Sequence, residues 1–212
     1  MARNIELKAR IESVEAMRTK AAALADQGPI EILQEDTFFT CARGRLKLRA
    51  FSAHAGQLIF YQRPNQPGPK ASFFITAPTS SPDTLREALS LAYGQAGRVR
   101  THRTLYLVGR TRVHLDRVEE LGHFLELEVV LSEGEASARG VEEAHTLMAA
   151  LGITPTQLIE GAYVDLLPQQ HAEPTGVVCR ERPRLRAGAS PAGVSSGAPR
   201  RRRPGLGGAR GG

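Results

Sequence analysis

Glu126 and Glu128 stand two residues apart in HFLELEVVL, Glu6 and Lys8 two apart in NIELKAR, and Arg45, Lys47 and Arg49 alternate through GRLKLRA. Carboxylates one pleat repeat apart, about 6.5 to 7 Å along a strand, can share one metal region without touching. Arginine and lysine at the same spacing can neutralise phosphoryl oxygens, arginine often in bidentate fashion. Metal-bound polyphosphate is the ligand that satisfies both signs at once, because carboxylates hold Mg²⁺ or Mn²⁺ that bridges the same phosphates.

Such residues work together only if a common element aims them. Successive strand side chains point to opposite faces, so each strand divides into two lists. The first strand gives Asn4, Glu6, Lys8 and Arg10 against Ile5, Leu7, Ala9 and Ile11. The segment around Leu46 gives Arg43, Arg45, Lys47 and Arg49 against Leu46 and Leu48. Residues 112–116 give Arg112, His114 and Asp116 against Val113 and Leu115, and the last strand gives Phe124, Glu126 and Glu128 against Leu125, Leu127 and Val129. Two readings follow. Either the ionic lists face water on half-buried strands, or they converge inside a closed or nearly closed sheet. The second would gather Lys8, Arg10, Arg45, Lys47, Arg49 and Arg112 beside Glu6, Asp116, Glu126 and Glu128. A desolvated charge costs several kcal/mol unless paired, so that interior would need water and a ligand of both signs.

The pattern predicts strands at 4–11, 30–34, 37–41, 45–51, 58–63, 70–76, 99–108, 112–115 and 124–131. Helices are expected at 14–25, where Gly28-Pro29 ends the stretch, at 81–93, at 136–151, and from Thr154-Pro155 to Leu167. Many antiparallel strands with a few helices make an α+β fold, and Cys41 is expected to pack within a strand.

The charge divides by region. Residues 171–212 carry nine Arg against two acidic residues, a surplus of seven, so the net +6 of the chain leaves the first 170 residues at −1. That last segment has no aromatic residue and ends in RRRRPGLGGARGG, a composition that cannot offset its ordering entropy by burial. The expected organisation is therefore a folded domain over 1–170 and a disordered Arg/Gly/Pro-rich tail over 171–212. Arg200 to Arg203 and the Arg-Gly-Gly ending read either as a contact for nucleic acid or another polyanion, or as a solvated extension. No run of about 18 apolar residues occurs, no apolar signal core follows MARNIELKAR, and two isolated cysteines make no disulfide framework or zinc site. A cytoplasmic protein without membrane contact is expected, and a homodimer is left open. No Gly-x-x-x-x-Gly-Lys loop is present, which excludes phosphate binding by a P-loop.

IELKAR, QEDTFF at 34–39, GRLKLR at 44–49, LIFYQRP at 58–64, RVHLDRVEELG at 112–122 and FLELEV at 124–129 resemble, in order and spacing, the CYTH superfamily. These are the triphosphate tunnel metalloenzymes, which include class IV adenylyl cyclases and thiamine and inorganic triphosphatases. The resemblance extends to Tyr163. It implies a tunnel of about eight antiparallel strands, flanked by helices, with a triphosphate such as ATP or tripolyphosphate in its basic interior. Glu6 and Lys8 match the second Glu and the Lys of the family's Glu-x-Glu-x-Lys signature. Arg45, Lys47, Arg49, Arg63, Lys70 and Arg103 match basic positions expected to grip phosphates, joined by Lys8, Arg10 and Arg112 from the alternation. Asp116, Glu126 and Glu128 match late acidic positions that, with Glu6, are expected to bind Mg²⁺ or Mn²⁺. Lys8, Arg49 and His114 are the residues expected to serve catalysis. Asn4 replaces the first Glu of the signature, which removes one carboxylate from the metal set, and Thr101 stands where many relatives have a tunnel lysine. The resemblance implies a metal-dependent enzyme, read first as an adenylyl cyclase converting ATP to cyclic AMP and pyrophosphate. The alternatives are a triphosphatase of the same fold and a polyphosphate- or nucleic-acid-binding module without turnover.

Overall fold

The computed structural model describes residues 2–168. Eight strands run β1 (Ala2–Arg10), β2 (Gln27–Phe39), β3 (Arg45–Ser52), β4 (Ala55–Gln62), β5 (Lys70–Thr79), β6 (Gln95–Val108), β7 (Thr111–Val118) and β8 (Gly122–Val130). They close into an antiparallel barrel in the order β1-β5-β4-β3-β2-β6-β7-β8, with β8 returning to β1. Helices α1 (Val14–Leu24), α2 (Pro82–Tyr93), α3 (Ser137–Leu151) and α4 (Tyr163–Leu166) complete the described chain. The fold is the α+β closed barrel of eight strands that the resemblance implies, and it decides between the two readings that the alternation left open. The Arg-rich tail expected over 171–212 lies outside the described residues. No helix among the described residues is long and apolar enough to cross a membrane.

The apolar lists face outward, against helices. Ile5, Leu7, Ala9, Val113, Leu115, Leu125, Leu127 and Val129 are 0% exposed and share one cluster with Val14, Met17 and Ala21 of α1 and Ala144, Leu147 and Leu151 of α3. Removing such a side chain from water contributes roughly 1.5–3 kcal/mol, so this cluster forces the other face of β1, β7 and β8 toward the barrel axis. Ser13 caps α1 by accepting from the Ala16 backbone N–H at 3.4 Å. Gly140 lets α3 approach β1 closely, since a Cβ there would lie 2.7 Å from Ile5 and from Leu131.

Three local expectations change. The strands expected at 30–34 and 37–41 are one continuous strand, β2, because Glu35 and Asp36 pair with Ala50 and Arg49 and with Arg100 and Val99. Gly28 and Pro29 lie inside this strand, at a register irregularity beside β6. Proline is tolerated there because this stretch of β2 pairs only with β6. Gly28 has φ +114°, and a Cβ would meet the Leu105 carbonyl oxygen at 2.7 Å. Cys41 is exposed beyond the end of β2 rather than packed within a strand. The helix expected over 154–167 is instead a 3₁₀ turn at Pro155–Gln157, an extended stretch and the four residues of α4. Tertiary bonds outcompete the helix: Leu158 bridges to Ala9, and the Ile159 N–H donates to the Lys8 carbonyl at 2.9 Å.

Candidate functional site

The ionic lists of the strands line a cavity of about 190 Å³ along the barrel axis. Six cations face it, Lys8, Lys47, Arg49, Arg63, Arg103 and Arg112, against the four carboxylates Glu6, Asp36, Glu126 and Glu128. Positive charge is thus concentrated inside a body whose own net charge is negative, which is the condition for focusing an anion. A larger open groove of about 740 Å³ runs past Leu33, Phe51 and Arg98. Its Arg86, Arg98 and Arg100 are all bonded to Glu35, so the tunnel is the stronger candidate.

Strand register orders the groups. Glu6 lies opposite Glu128, and Glu128 opposite Arg112. One pleat repeat further, Lys8 lies opposite Glu126, and Glu126 opposite His114. The next row is Arg10, Phe124, Asp116 and Arg103. Lys8 Nζ is 2.7 Å from Glu126 Oε1, and Arg63 Nη1 is 2.7 Å from Glu6 Oε1. Arg103 donates to both oxygens of Asp116 at 2.7 Å and to Glu126 at 2.8 Å. Arg112 approaches Glu128 at 3.4 Å. His114 is 4% exposed, its Nε2 lies 3.5 Å from Glu128 Oε2, and neither ring nitrogen has a hydrogen-bond partner.

These pairs set the protonation of the carboxylates. Burial opposes the charge of Glu126, but Lys8 and Arg103 hold its carboxyl well below the usual range. Burial likewise opposes Glu128, which His114 and Arg103 hold down to about 2. Glu6 goes the other way: burial, then Glu126 and Glu128, push it up against the pull of Arg63 and Lys8. Three carboxylates are therefore close enough to oppose one another's charge, the condition that a divalent cation relieves.

Residues 158–167 close one end of the tunnel. Phe38, Ile59, Tyr61, Val99, Val118 and Phe124 form an apolar floor with Ala162 and Tyr163. Tyr163 packs its ring at 4.8 Å and a tilt of 49° against Phe124, lies 4.1 Å beneath Lys8 Nζ, and donates its hydroxyl to Asp116 Oδ2 at 2.7 Å. This segment also takes up residues expected to grip phosphate. Arg45 donates in a fork to Asp165 at 2.8 and 2.7 Å. Lys70 donates to the carbonyls of Gln66 and Glu160 at 2.8 and 3.2 Å, and burial with Arg63 nearby pulls its ammonium down to about 8. Arg10 is exposed, donates to the Leu121 carbonyl at 2.8 Å and covers the Phe124 ring at 4.7 Å. Arg10, Arg45 and Lys70 thus lie outside the tunnel lining, because the closing segment and the β7–β8 turn satisfy them. Asp116 is 0% exposed and fully engaged by Arg103 and Tyr163. Its geometry is that of a brace for Arg103, and it too lies outside the lining. Lys8, Lys47, Arg49, Arg63, Arg103, Arg112, Glu6, Glu126 and Glu128 are brought together as expected. Thr101 is 5% exposed and absent from the lining.

Sequence reasoning passed over Asp36, which bonds Lys47 and Arg49. It fell between two short expected strands, and carrying the alternation Gln34, Asp36, Phe38 through one long strand would have found it.

Among the described residues no three His, Cys, Asp or Glu side chains stand in metal-holding geometry, since each tunnel carboxylate is bonded to a cation instead. The unspent atoms nevertheless suit a metal-bound phosphate. Asn4 Oδ1 is a buried acceptor without a partner, and Arg63 Nε is a buried donor without one. A cation fits the first, beside Glu6 and Glu128, and a phosphoryl oxygen fits the second.

The CYTH domain model matches residues 2–163. No curated protein matches the sequence. Among solved structures, a protein from Pyrococcus horikoshii is similar at TM-score 0.69 and 22% identity, covering 78% of this chain and 99% of that one. A candidate adenylate cyclase from Vibrio parahaemolyticus is similar at TM-score 0.60 and 17% identity, over 77% and 96% of the two chains. A candidate adenylyl cyclase from Hippeastrum, described as having a dominant triphosphatase activity, is similar at TM-score 0.51 and 17% identity, over 76% and 91%.

Proposed function

The chain belongs to the CYTH domain family, and from that membership we propose that it is a metal-dependent enzyme acting on a triphosphate held in the tunnel. The observation that carries this reading is the enclosure of six cations and four carboxylates in one cavity, with an unpaired buried acceptor on Asn4 and an unpaired buried donor on Arg63. Glu6, Glu126, Glu128 and Asn4 are the groups that would hold Mg²⁺ or Mn²⁺, which when bound supplies charge neutralisation and polarisation of phosphoryl oxygens.

The protein's own part is positioning and electrostatics. Lys8 and Arg103 are held by Glu126, and Arg103 also by Asp116. They present fixed positive charge without reorganisation when charge shifts to the leaving group. Lys47, Arg49 and Arg63 grip the rest of the chain, and Arg112 guards the lining at the level of Glu6 and Glu128. Tyr163 and Phe124 keep bulk water from the closed end. His114, expected to serve catalysis, is buried beside Glu128 with its Nε2 3.5 Å from Oε2 and is absent from the cavity lining, so its place is behind Glu128 and not against the substrate.

The finer reading is an adenylyl cyclase: the ribose 3′ oxygen attacks the α-phosphorus of ATP and pyrophosphate leaves. GRLKLR, RVHLD and the LG-x-F-x-E-x-E ending support it, as does likeness to structures named as adenylate cyclases. One observation favours hydrolysis as a second reading. The cavity of about 190 Å³ is smaller than the roughly 300–1,000 Å³ usual for sites that enclose an organic ligand, so it suits a bare triphosphate, with water attacking the terminal phosphorus. The test is incubation of the full chain with ATP or tripolyphosphate and Mg²⁺ or Mn²⁺, resolving cyclic AMP, ADP, pyrophosphate and orthophosphate. Cyclic AMP supports the first reading and orthophosphate the second. No product from either substrate would refute both.

A further inference from the structure

Asp36 is the one tunnel carboxylate outside the group expected to hold metal, and its bonds give it a task. It is 6% exposed and lies directly opposite Arg49 across the β2–β3 pairing. Its Oδ1 accepts from Arg49 Nε at 2.7 Å, while its Oδ2 accepts from Arg49 Nη2 and from Lys47 Nζ, both at 2.8 Å. Lys47 and Arg49 point the same way from β3, about 6.5–7 Å apart along the strand. Two half-buried cations at that distance repel, and without a shared anion each head would turn from the other.

The count of donors decides what Asp36 leaves behind. A guanidinium has five N–H groups and an ammonium three. Asp36 takes two from Arg49 and one from Lys47, and no other hydrogen bond among the described residues uses the rest. Three N–H groups of Arg49 and two of Lys47 remain for an incoming anion. A carboxylate spent in this way on both cations is a support for them more than a competitor for their ligand.

We propose that Asp36 is a positioning residue that holds Lys47 and Arg49 as a preformed two-cation clamp for one phosphoryl group of the triphosphate. The inference rests on the triphosphate reading above and adds to it the residue that sets the clamp. The groups that face Lys47 are Asp36 and the Phe38 ring from β2, Arg49 on β3, the Tyr61 ring at 5.6 Å from β4, and Glu126 from β8. Burial and Arg49 pull the Lys47 ammonium down, and Asp36 followed by Glu126 holds it up. An uncharged residue at position 36 therefore lowers it further, and the clamp loses half its charge at a lower pH.

The test is calorimetric titration of a non-hydrolysable imidotriphosphate, with Mg²⁺, into the full chain and its variants from pH 6 to 10. Asp36→Asn, which keeps the shape and removes the charge, is expected to bind about tenfold more weakly. Its alkaline loss of binding is expected to begin about one pH unit earlier. Asp36→Glu is expected to keep the wild-type alkaline limb while binding several-fold more weakly. In a Lys47→Met/Arg49→Met background, Asp36→Asn is expected to add nothing, since the groups it acts through are gone. Equal or tighter binding by Asp36→Asn would make Asp36 a competing anion and overturn the inference, as would a further loss in the double-variant background. If Asp36→Asn does not fold, Asp36→Glu decides, and binding at wild-type strength refutes the clamp. Failure of the wild type itself to bind imidotriphosphate refutes the triphosphate reading, a result distinct from the others.

Discussion

Asn4 Oδ1 and Arg63 Nε are buried polar atoms without partners in a tunnel where nearly every other charge is paired. An unsatisfied buried group costs about 1–3 kcal/mol, so a ligand that meets both recovers that cost on binding. Asn4→Asp adds a carboxylate beside Glu6 and Glu128, and it should tighten Mn²⁺ binding about tenfold, read from the free-Mn²⁺ signal in an electron paramagnetic resonance titration. Unchanged affinity would move the metal away from Asn4. Asp36 shares the response to acid with Glu126 and Glu128, whose carboxyls are also held down. Burial opposes its charge, but Arg49 and Lys47 hold its carboxyl well below the ordinary value near 3.8. A carboxylate lowered by folding contributes stability that is full above the unfolded value and is lost as pH falls below it. The urea midpoint should therefore drop between pH 4 and 2, and Asp36→Asn should make that drop smaller, leaving the share of Glu126 and Glu128. The lists of alternate side chains made Glu6, Lys8, Lys47, Arg49, Glu126 and Glu128 legible before any coordinates. Arg10 and Arg45 obey the same alternation, and Lys70 matches a basic position of the resemblance, yet other partners claim all three. Period two reports which face a side chain takes and carries no information on how far along the barrel it lies.

At the scale of elements, β1, β7 and β8 were legible because each buries one apolar list under α1 and α3, and the closing segment was not. Thr154-Pro155 is a sound helix start, but the residues after it gain more from β1 and the tunnel floor than from helical bonds: Leu158 on Ala9, Tyr163 on Phe124, Asp165 on Arg45. Such gains depend on partners far away in the chain, which local propensity does not register. Tyr163→Phe keeps the tilted ring contact with Phe124 and removes the bond to Asp116. It should cost about 1 kcal/mol by chemical denaturation, while Tyr163→Ala, which also empties the floor, should cost about 3–5 kcal/mol. Equal losses would mean the hydroxyl, not the ring, holds the segment. Gly140 tests the other side of the barrel. Alanine usually improves a helix interior by about 1 kcal/mol over glycine, but here its Cβ would lie 2.7 Å from Ile5 and Leu131, so Gly140→Ala should lower stability by about 1–3 kcal/mol.

The whole molecule separates its charges by topology: helices seal the apolar outside of β1, β7 and β8, and the ionic faces have nowhere to go but the axis. The basic sequence average conceals this, because the surplus belongs to residues 171–212. That segment reads either as a polyanion contact or as a solvated extension; deleting it should leave turnover unchanged, and loss of RNA binding in a filter assay would place the contact there. Retained RNA binding would assign the contact to the barrel. The central claim, that opposite charges enclosed on one axis form a metal–triphosphate site, is tested most directly by calorimetry of imidotriphosphate with Mg²⁺ against the wild type and Arg103→Met. The account predicts one saturable site per chain in the wild type and a loss of at least about tenfold in the variant. Binding by Arg103→Met at wild-type strength, or no binding by the wild type, would contradict it.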